Sequence, residues 1–311
     1  MVSRNLAYSA YLSPKYWPLW LALALSFLIA FLPHRLQLLL GSFVGRIAYH
    51  TLKRRREITR INLSVCFPEL SRAEREGLVK AAFKSNGMGL IEALRSWFRD
   101  PASLRHKVGY HGGHHLDQAL AKGRGVILLG GHYSTLDLVG GLTTLFFEAD
   151  VLQRDHSNPL FNAFMTRSRK HLYGEVLGKR DLRGMLRRLK QNRVVWYATD
   201  QDSGRKNSVF APFFGQPCAT LVSTMRLAKR SGAVVLPFSH FRRPGGRGYD
   251  IYIHPPLEAF PSDDELIDAS RLNGILEQEI RKHPEQYLWM HRRFKTPVKP
   301  GEKNIYGQVR N

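Results

Sequence analysis

Four short apolar runs, GVILLG at 125–130, VVWYAT at 194–199, AVVLPF at 233–238 and YDIYIH at 249–254, limit the fold more than any other feature of the chain. The first three are short and apolar throughout, as strands buried on both faces are. The fourth alternates and reads as a more exposed strand. Helical patterns lie between them at about 134–147, 158–171, 181–191 and 219–231. Ser71-x-x-Glu74 and Ser262-x-x-Glu265 have capping-box spacing and predict helices over 72–97 and 263–282. Strands alternating with helices imply an α/β domain with a largely parallel central sheet flanked by helices. In such sheets ligands bind beyond the carboxyl ends of the strands. No Pro/Gly/Ser-rich linker divides residues 34–311, so this stretch is expected to be one globular domain.

Ahead of it, residues 16–32 (YWPLWLALALSFLIAFL) carry no charge. As a helix the run would be about 26 Å long, at the lower end for crossing a hydrocarbon core of about 30 Å. A buried core helix is the other use for such a run. A cleaved signal peptide is disfavoured, because Pro33-His34-Arg35 follows in place of a small-residue cleavage site. Trp17 and Trp20 suit an interfacial position. Residues 1–60 hold nine Lys and Arg against Glu57 alone, mostly after the run. That bias places the body on the cytoplasmic side, with the basic cluster at 53–56 against anionic headgroups. The expectation is a membrane-anchor helix within 1–33, spanning or embedded, and a cytoplasmic-facing domain.

The whole chain has 47 Lys and Arg against 25 Asp and Glu, a net charge of +22, which calls for an anionic partner. No zinc spacing, RRM signature or basic heptad appears, so nucleic acid is not the expected one. Two cysteines, Cys66 and Cys218, exclude a disulfide scaffold and a Cys-rich zinc module. His111, His114 and His115 sit among glycines that signal a turn. Neither a metal nor a cofactor is expected.

Directly after the run at 125–130 comes GHYSTLD, which puts His132 at the carboxyl end of a strand. Ser134 or Thr135 could cap the next helix and set Asp137 in its first turn, where the helix dipole favours a carboxylate. From there Asp137 could hold one imidazole nitrogen and leave the other free as a general base. The same residues also fit a polar loop with a helix-capping Asp. There is no G-x-S-x-G elbow, and no Ser or Cys is placed as a nucleophile beside the pair.

Taken together, GRGVILLGGHYSTLDL, TDQDSGRKNSVFAPFFG at 199–215, NLSVCFPELS at 62–71 and PEQYLWMHRRFKT at 284–296 resemble the late acyltransferases of lipid A biosynthesis, within the lysophospholipid acyltransferase superfamily. The likeness covers nearly the whole chain in the family's order. The DQD-x-GRK block and the RRFKT ending look more like the lauroyl-type branch than the myristoyl-type one.

The resemblance implies transfer of a fatty acyl group, lauroyl in that branch, from acyl carrier protein. The acceptor it implies is the hydroxyl of a 3-hydroxyacyl chain on a Kdo-modified lipid A precursor, at the bacterial inner membrane. The family's catalytic His matches His132 and its acidic partner matches Asp137, where many lauroyl-type members carry Glu. A family arginine matches Arg169, with Arg154 and Arg167 as neighbours able to do similar work.

The reaction also needs donors for an oxyanion, for which the backbone at Gly130 and Gly131 and the side chain of Arg169 are candidates. The acceptor's phosphates and carboxylates need cations. Residues 167–206 supply twelve Lys and Arg against four acids, and Asp200, Gln201, Asp202, Arg205 and Lys206 follow a strand end on the expected side. A glycerolipid acyltransferase is the near alternative. A membrane-tethered anionic-lipid or nucleic-acid binder is the alternative from another class.

Overall fold

The computed structural model describes residues 8–179, 181–307 and 309. Four helices come first: α1 (Trp17–Ala30), α2 (His34–Thr51), α3 (Lys53–Cys66) and α4 (Arg72–Phe98). Helix α4 opens on the capping box its sequence predicts. Ser71 Oγ accepts from the Glu74 N–H at 3.2 Å, and Glu74 Oε2 accepts from the Ser71 N–H at 2.7 Å. Helices α2 and α4 lie almost backbone to backbone. A Cβ added at Gly87 would sit 2.2 Å from the Gly41 carbonyl oxygen, so only glycine permits this approach.

Of the two forms expected for the anchor run within 1–33, spanning or embedded, the span is not formed among the described residues. Helix α1 has 14 residues, about 21 Å of rise, and no helix among the described residues is long and apolar enough to cross a membrane. Pro33 is the reason. It disfavours helix at Leu32, and the chain turns and restarts as α2 with Pro33 at its N-cap. Gln37 of α2 donates to the last carbonyls of α1, Ile29 at 3.1 Å and Ala30 at 2.7 Å, which fixes the corner. The first helix also leans on the domain, with the Phe27 ring edge-on to Phe98 at 5.6 Å.

The remaining chain alternates as expected: β1 (Val108–His111), α5 (Gly113–Ala121), β2 (Val126–Gly130), α6 (Leu136–Thr143), β3 (Ala149–Gln153), α7 (Pro159–Leu172), β4 (Val176–Gly178), α8 (Leu182–Lys190), β5 (Val194–Ala198), β6 (Ser208–Phe213), β7 (Gln216–Leu221), α9 (Ser223–Ser231), β8 (Val234–Arg242), β9 (Tyr249–Ile253) and α10 (Glu265–Lys282). Seven strands form one sheet in the order β1-β9-β8-β2-β5-β3-β4, parallel throughout except where β8 meets β9. All five residues of β2 are buried. Its Leu128 packs with Leu138 and Leu142 of α6 on one face, and Ile127 and Leu129 pack with Met185 and Met225 of α8 and α9 on the other.

Three boundaries differ from expectation. The first residues of the helix predicted over 219–231 pair as β7 with β6 in a hairpin apart from the main sheet, closed by Phe214 and Gly215, both at positive φ. Helix α6 stops at Thr143. The cap of α10 is Asp264 in place of Ser262, with Asp264 Oδ1 accepting from Leu266 at 2.8 Å and Ile267 at 3.1 Å.

Candidate active site

Strands β2 and β5 are parallel neighbours, with Gly130 paired to Ala198. Two residues past each of these lie His132 and Asp200, so the register itself brings the two side chains together beyond the strand ends. Asp200 Oδ1 accepts from the imidazole Nδ1–H at 2.6 Å, and Oδ2 accepts from the His132 backbone N–H at 2.8 Å. The Asp200 side chain is 1 % exposed and the imidazole 25 %. Burial, the largest single influence on each group, disfavours both charges, but their mutual attraction and hydrogen bonds outweigh it. The imidazole is held above its ordinary range and the carboxyl is pulled down to about 2.

The expected His132–Asp137 hydrogen bond is not the one formed, since Asp200 holds the imidazole. Asp137 does stand in the first turn of α6. Its carboxylate meets Arg169 Nη2 at 3.4 Å, while the imidazole Nδ1 is taken by Asp200. Asp137 acts on His132 only through space, as a minor charge that raises its pKa. Neither proposed helix cap forms. Thr135 Oγ1 pairs with His240 Nδ1 at 2.8 Å, and Ser134 Oγ pairs with Ser85 Oγ on α4 at 2.7 Å.

His132, Asp137 and Arg169 share the wall of one cavity of about 250 Å³. Behind them it is apolar, with Leu128, Phe147, Trp196 and Phe238 among its lining. Trp196 stands edge-on to the imidazole at 5.8 Å between ring centres. Imidazole Nε2 has no hydrogen bond among the described residues, which leaves one ring nitrogen available beside a slot for an apolar chain. The two glycines ahead of His132 allow this packing: a Cβ on Gly130 would lie 2.6 Å from Trp196 Nε1, and one on Gly131 would lie 2.6 Å from Leu276 Cδ1.

The other residues singled out in the sequence fall into two groups. Asp202 and Arg205 are engaged with the chain's own tail. Asp202 accepts from Thr296 N–H at 2.7 Å and from its hydroxyl at 2.8 Å, and Arg205 donates to the carbonyls of Pro297 and Val298. Arg154, Arg167 and Lys206 are exposed, with Arg167 over the Tyr8 ring at 5.5 Å, and Gln201 is half-buried next to Asp200.

Sequence reasoning did not find the brace behind the loop. The Ser134 N–H donates to the Gln286 carbonyl at 2.7 Å, and the Leu288 N–H donates to the His132 carbonyl at 3.0 Å. The tail therefore pairs antiparallel with the catalytic loop. Asn62 of α3 holds that tail through the carbonyls of Trp289 at 2.7 Å and His291 at 2.8 Å. Arg242 of β8 bridges to Ser85 and to the buried Glu92 of α4, so the loop's hydroxyl contact is tied to a buried ion pair. The signal was present as four separate motifs at 62–71, 123–138, 199–215 and 284–296. The tail motif touches each of the other three, and the 199–215 motif meets the loop through Asp200 and His132.

A histidine with one free ring nitrogen at the carboxyl edge of a parallel sheet, beside an apolar cavity, is an arrangement suited to base chemistry in an α/β protein. Comparison with known proteins supplies the family. Residues 7–296 match the profile of the bacterial lipid A biosynthesis acyltransferases. The chain belongs to that family and is accordingly an O-acyltransferase of lipid A biosynthesis. It is 39 % identical over 298 residues, 95 % of this chain and 96 % of the relative, to the lipid A biosynthesis palmitoleoyltransferase of Escherichia coli (strain K12). The lauroyltransferase of the same organism is 38 % identical, covering 93 % and 94 %. Its myristoyltransferase is 28 % identical, covering 94 % and 91 %. Two relatives that differ by one per cent in identity are thus named for different acyl chains.

Proposed function

We propose that the chain moves a fatty acyl group, lauroyl by its 199–215 and 284–296 motifs, from acyl carrier protein to a Kdo-modified lipid A precursor. The accepting group is the hydroxyl of a 3-hydroxyacyl chain, and His132 is the general base. The observation that carries this reading is the imidazole fixed through Nδ1 by Asp200 with Nε2 free at an apolar slot. A secondary hydroxyl is a poor nucleophile until its proton is removed during attack. Nε2 takes that proton as the oxygen adds to the thioester carbonyl. The tetrahedral oxyanion collapses, the thiolate leaves, and the imidazolium returns the proton to it. Candidate donors to the oxyanion are the backbone at Gly130 and Gly131 and the Arg169 guanidinium.

No covalent acyl-enzyme is needed. Cys66 and Cys218 are buried, and burial pushes both thiols up, away from the reactive thiolate. Ser134 is engaged with Ser85. The test is mass spectrometry of lipid A from cells with and without the protein. One mass difference reports both acceptor and chain, and an unchanged lipid A accompanied by altered glycerolipids would support the glycerolipid alternative.

The protein's expected place is the cytoplasmic face of the inner membrane, and the support is a set of exposed apolar side chains on the first two helices. Leu21, Leu25 and Leu28 of α1 and Leu39, Phe43 and Ile47 of α2 are all 47 % exposed or more. On α2 the spacing of four residues keeps them on one face. We propose that this face lies in the headgroup layer, parallel to the surface. The double substitution Leu39→Glu, Phe43→Glu is expected to weaken binding to phosphatidylglycerol-containing vesicles by about tenfold or more without lowering the thermal midpoint. Unchanged vesicle binding would assign the face to some other contact.

A further inference from the structure

A second and larger cavity, about 740 Å³, opens on the other side of α7 from the apolar slot. Arg167, Lys170 and His171 line it from α7, and Arg99 lines it from the end of α4. Positions 167, 170 and 171 share one face of the helix, and Arg169 points the opposite way into the slot beside His132. One helix therefore presents cations to two chambers.

The cations of the second chamber are not spent on the protein. Arg99, Arg167 and Lys170 make no ion pair among the described residues. The one carboxylate in the lining, Asp100, uses Oδ1 to cap the following turn through Ala102 N–H at 2.8 Å. Two of the guanidiniums are held by aromatic faces, Arg167 over Tyr8 at 5.5 Å and Arg99 over Phe31 at 5.3 Å. A guanidinium stacked this way keeps its planar N–H edge for a ligand. Phe31 belongs to the segment that ends α1, so Arg99 links the cationic cleft to the exposed apolar residues of that helix. A cleft with unpaired arginines, linked in this way to an apolar helix, matches a molecule with a phosphate head and aliphatic chains.

We infer that this cleft holds the phosphate group of an amphiphile, with Arg99, Arg167 and Lys170 as its cations. The glycolipid acceptor of the proposed reaction and the surrounding anionic phospholipid share that chemistry. Assignment to the acceptor rests on the proposed function. Vesicle binding does not.

The experiment uses the full chain and the triple substitution Arg99→Ala, Arg167→Ala, Lys170→Ala, with Arg167→Ala alone as a milder companion. Transfer is measured with the phosphorylated acceptor and with the same acceptor after phosphatase treatment. Vesicle binding is measured with phosphatidylglycerol and with phosphatidylcholine. If the acceptor is the ligand, KM for the phosphorylated acceptor rises by about tenfold or more, kcat and KM for the acyl donor stay near wild type, and the penalty shrinks with the dephosphorylated acceptor. If bulk lipid is the ligand, the loss falls on phosphatidylglycerol vesicles and not on phosphatidylcholine, with acceptor KM unchanged. Variants that are folded and change neither measurement overturn the inference. A wild-type protein that transfers nothing to the lipid A precursor, yet binds phosphatidylglycerol vesicles through these residues, overturns the proposed function and leaves the cleft standing.

Discussion

His132→Ala is expected to reduce acyl transfer by at least about 10² to 10⁴, to background, because it removes the one imidazole among the described residues that lines the apolar slot. The fold should persist. The backbone N–H of residue 132 still donates to Asp200, and the tail still pairs with the loop through main-chain atoms. The cost in stability should depend on pH in a defined way. Asp200 sits at about 2 against an ordinary 3.8, so its contribution is present above about pH 4 and is lost as pH falls toward 2. The imidazole is raised above its ordinary 6.5, so its contribution is complete below that value and is lost as pH rises through the folded-state value. The difference in unfolding free energy between wild type and variant should therefore be largest between about pH 4 and pH 6.5. In wild type the acid limb of kcat/KM should fall above 6.5, since the base must be neutral. Wild-type turnover in folded His132→Ala protein would remove the histidine from the chemistry.

The architecture was legible because the pieces that set it are local. The runs at 125–130, 194–199 and 233–238 are β2, β5 and most of β8, and each is too apolar to lie anywhere but inside a covered sheet. The main-sheet strands that escaped notice, β1, β3 and β4, are three to five residues long and carry little pattern. What could not be read was adjacency. His132 and Asp200 are 68 positions apart, and their pairing depends on β5 lying next to β2, a fact of strand order. Asp137 drew the attention because five residues of separation are visible in a sequence and a shared sheet edge is not. Likewise the contacts of Asp202 and Arg205 with the tail at 296–298 could not be read from their place after a strand end. The length of the anchor run misled for a different reason. Hydropathy counts residues 16–32 as one segment, but Pro33 and the corner it makes leave a helix of 14 residues.

The pairing of His132 with Asp200 yields the sharpest test of the site. Asp200→Asn should lower kcat by about 10² or more, because asparagine keeps the volume but reverses the logic of the hydrogen bond. A carboxylate accepts from Nδ1–H and leaves Nε2 a lone pair; an amide can donate to Nδ1 instead, which puts the proton on Nε2 and leaves no base. Removing the charge also removes the main influence that raises the imidazole, so whatever activity remains should show its acid limb displaced to lower pH. Asp137→Asn should behave differently. Its carboxylate contributes a weaker through-space pull on the imidazole and a loose 3.4 Å contact to Arg169, so a loss of about tenfold with a small displacement of the limb is expected. The two variants together separate orientation from electrostatic support, since both subtract one negative charge near His132 and only one changes what the ring nitrogen touches. If Asp137→Asn proved the more damaging and alone moved the acid limb, the imidazole would be taking its partner from α6 during the reaction. The Asp200 clamp would then describe the resting enzyme only.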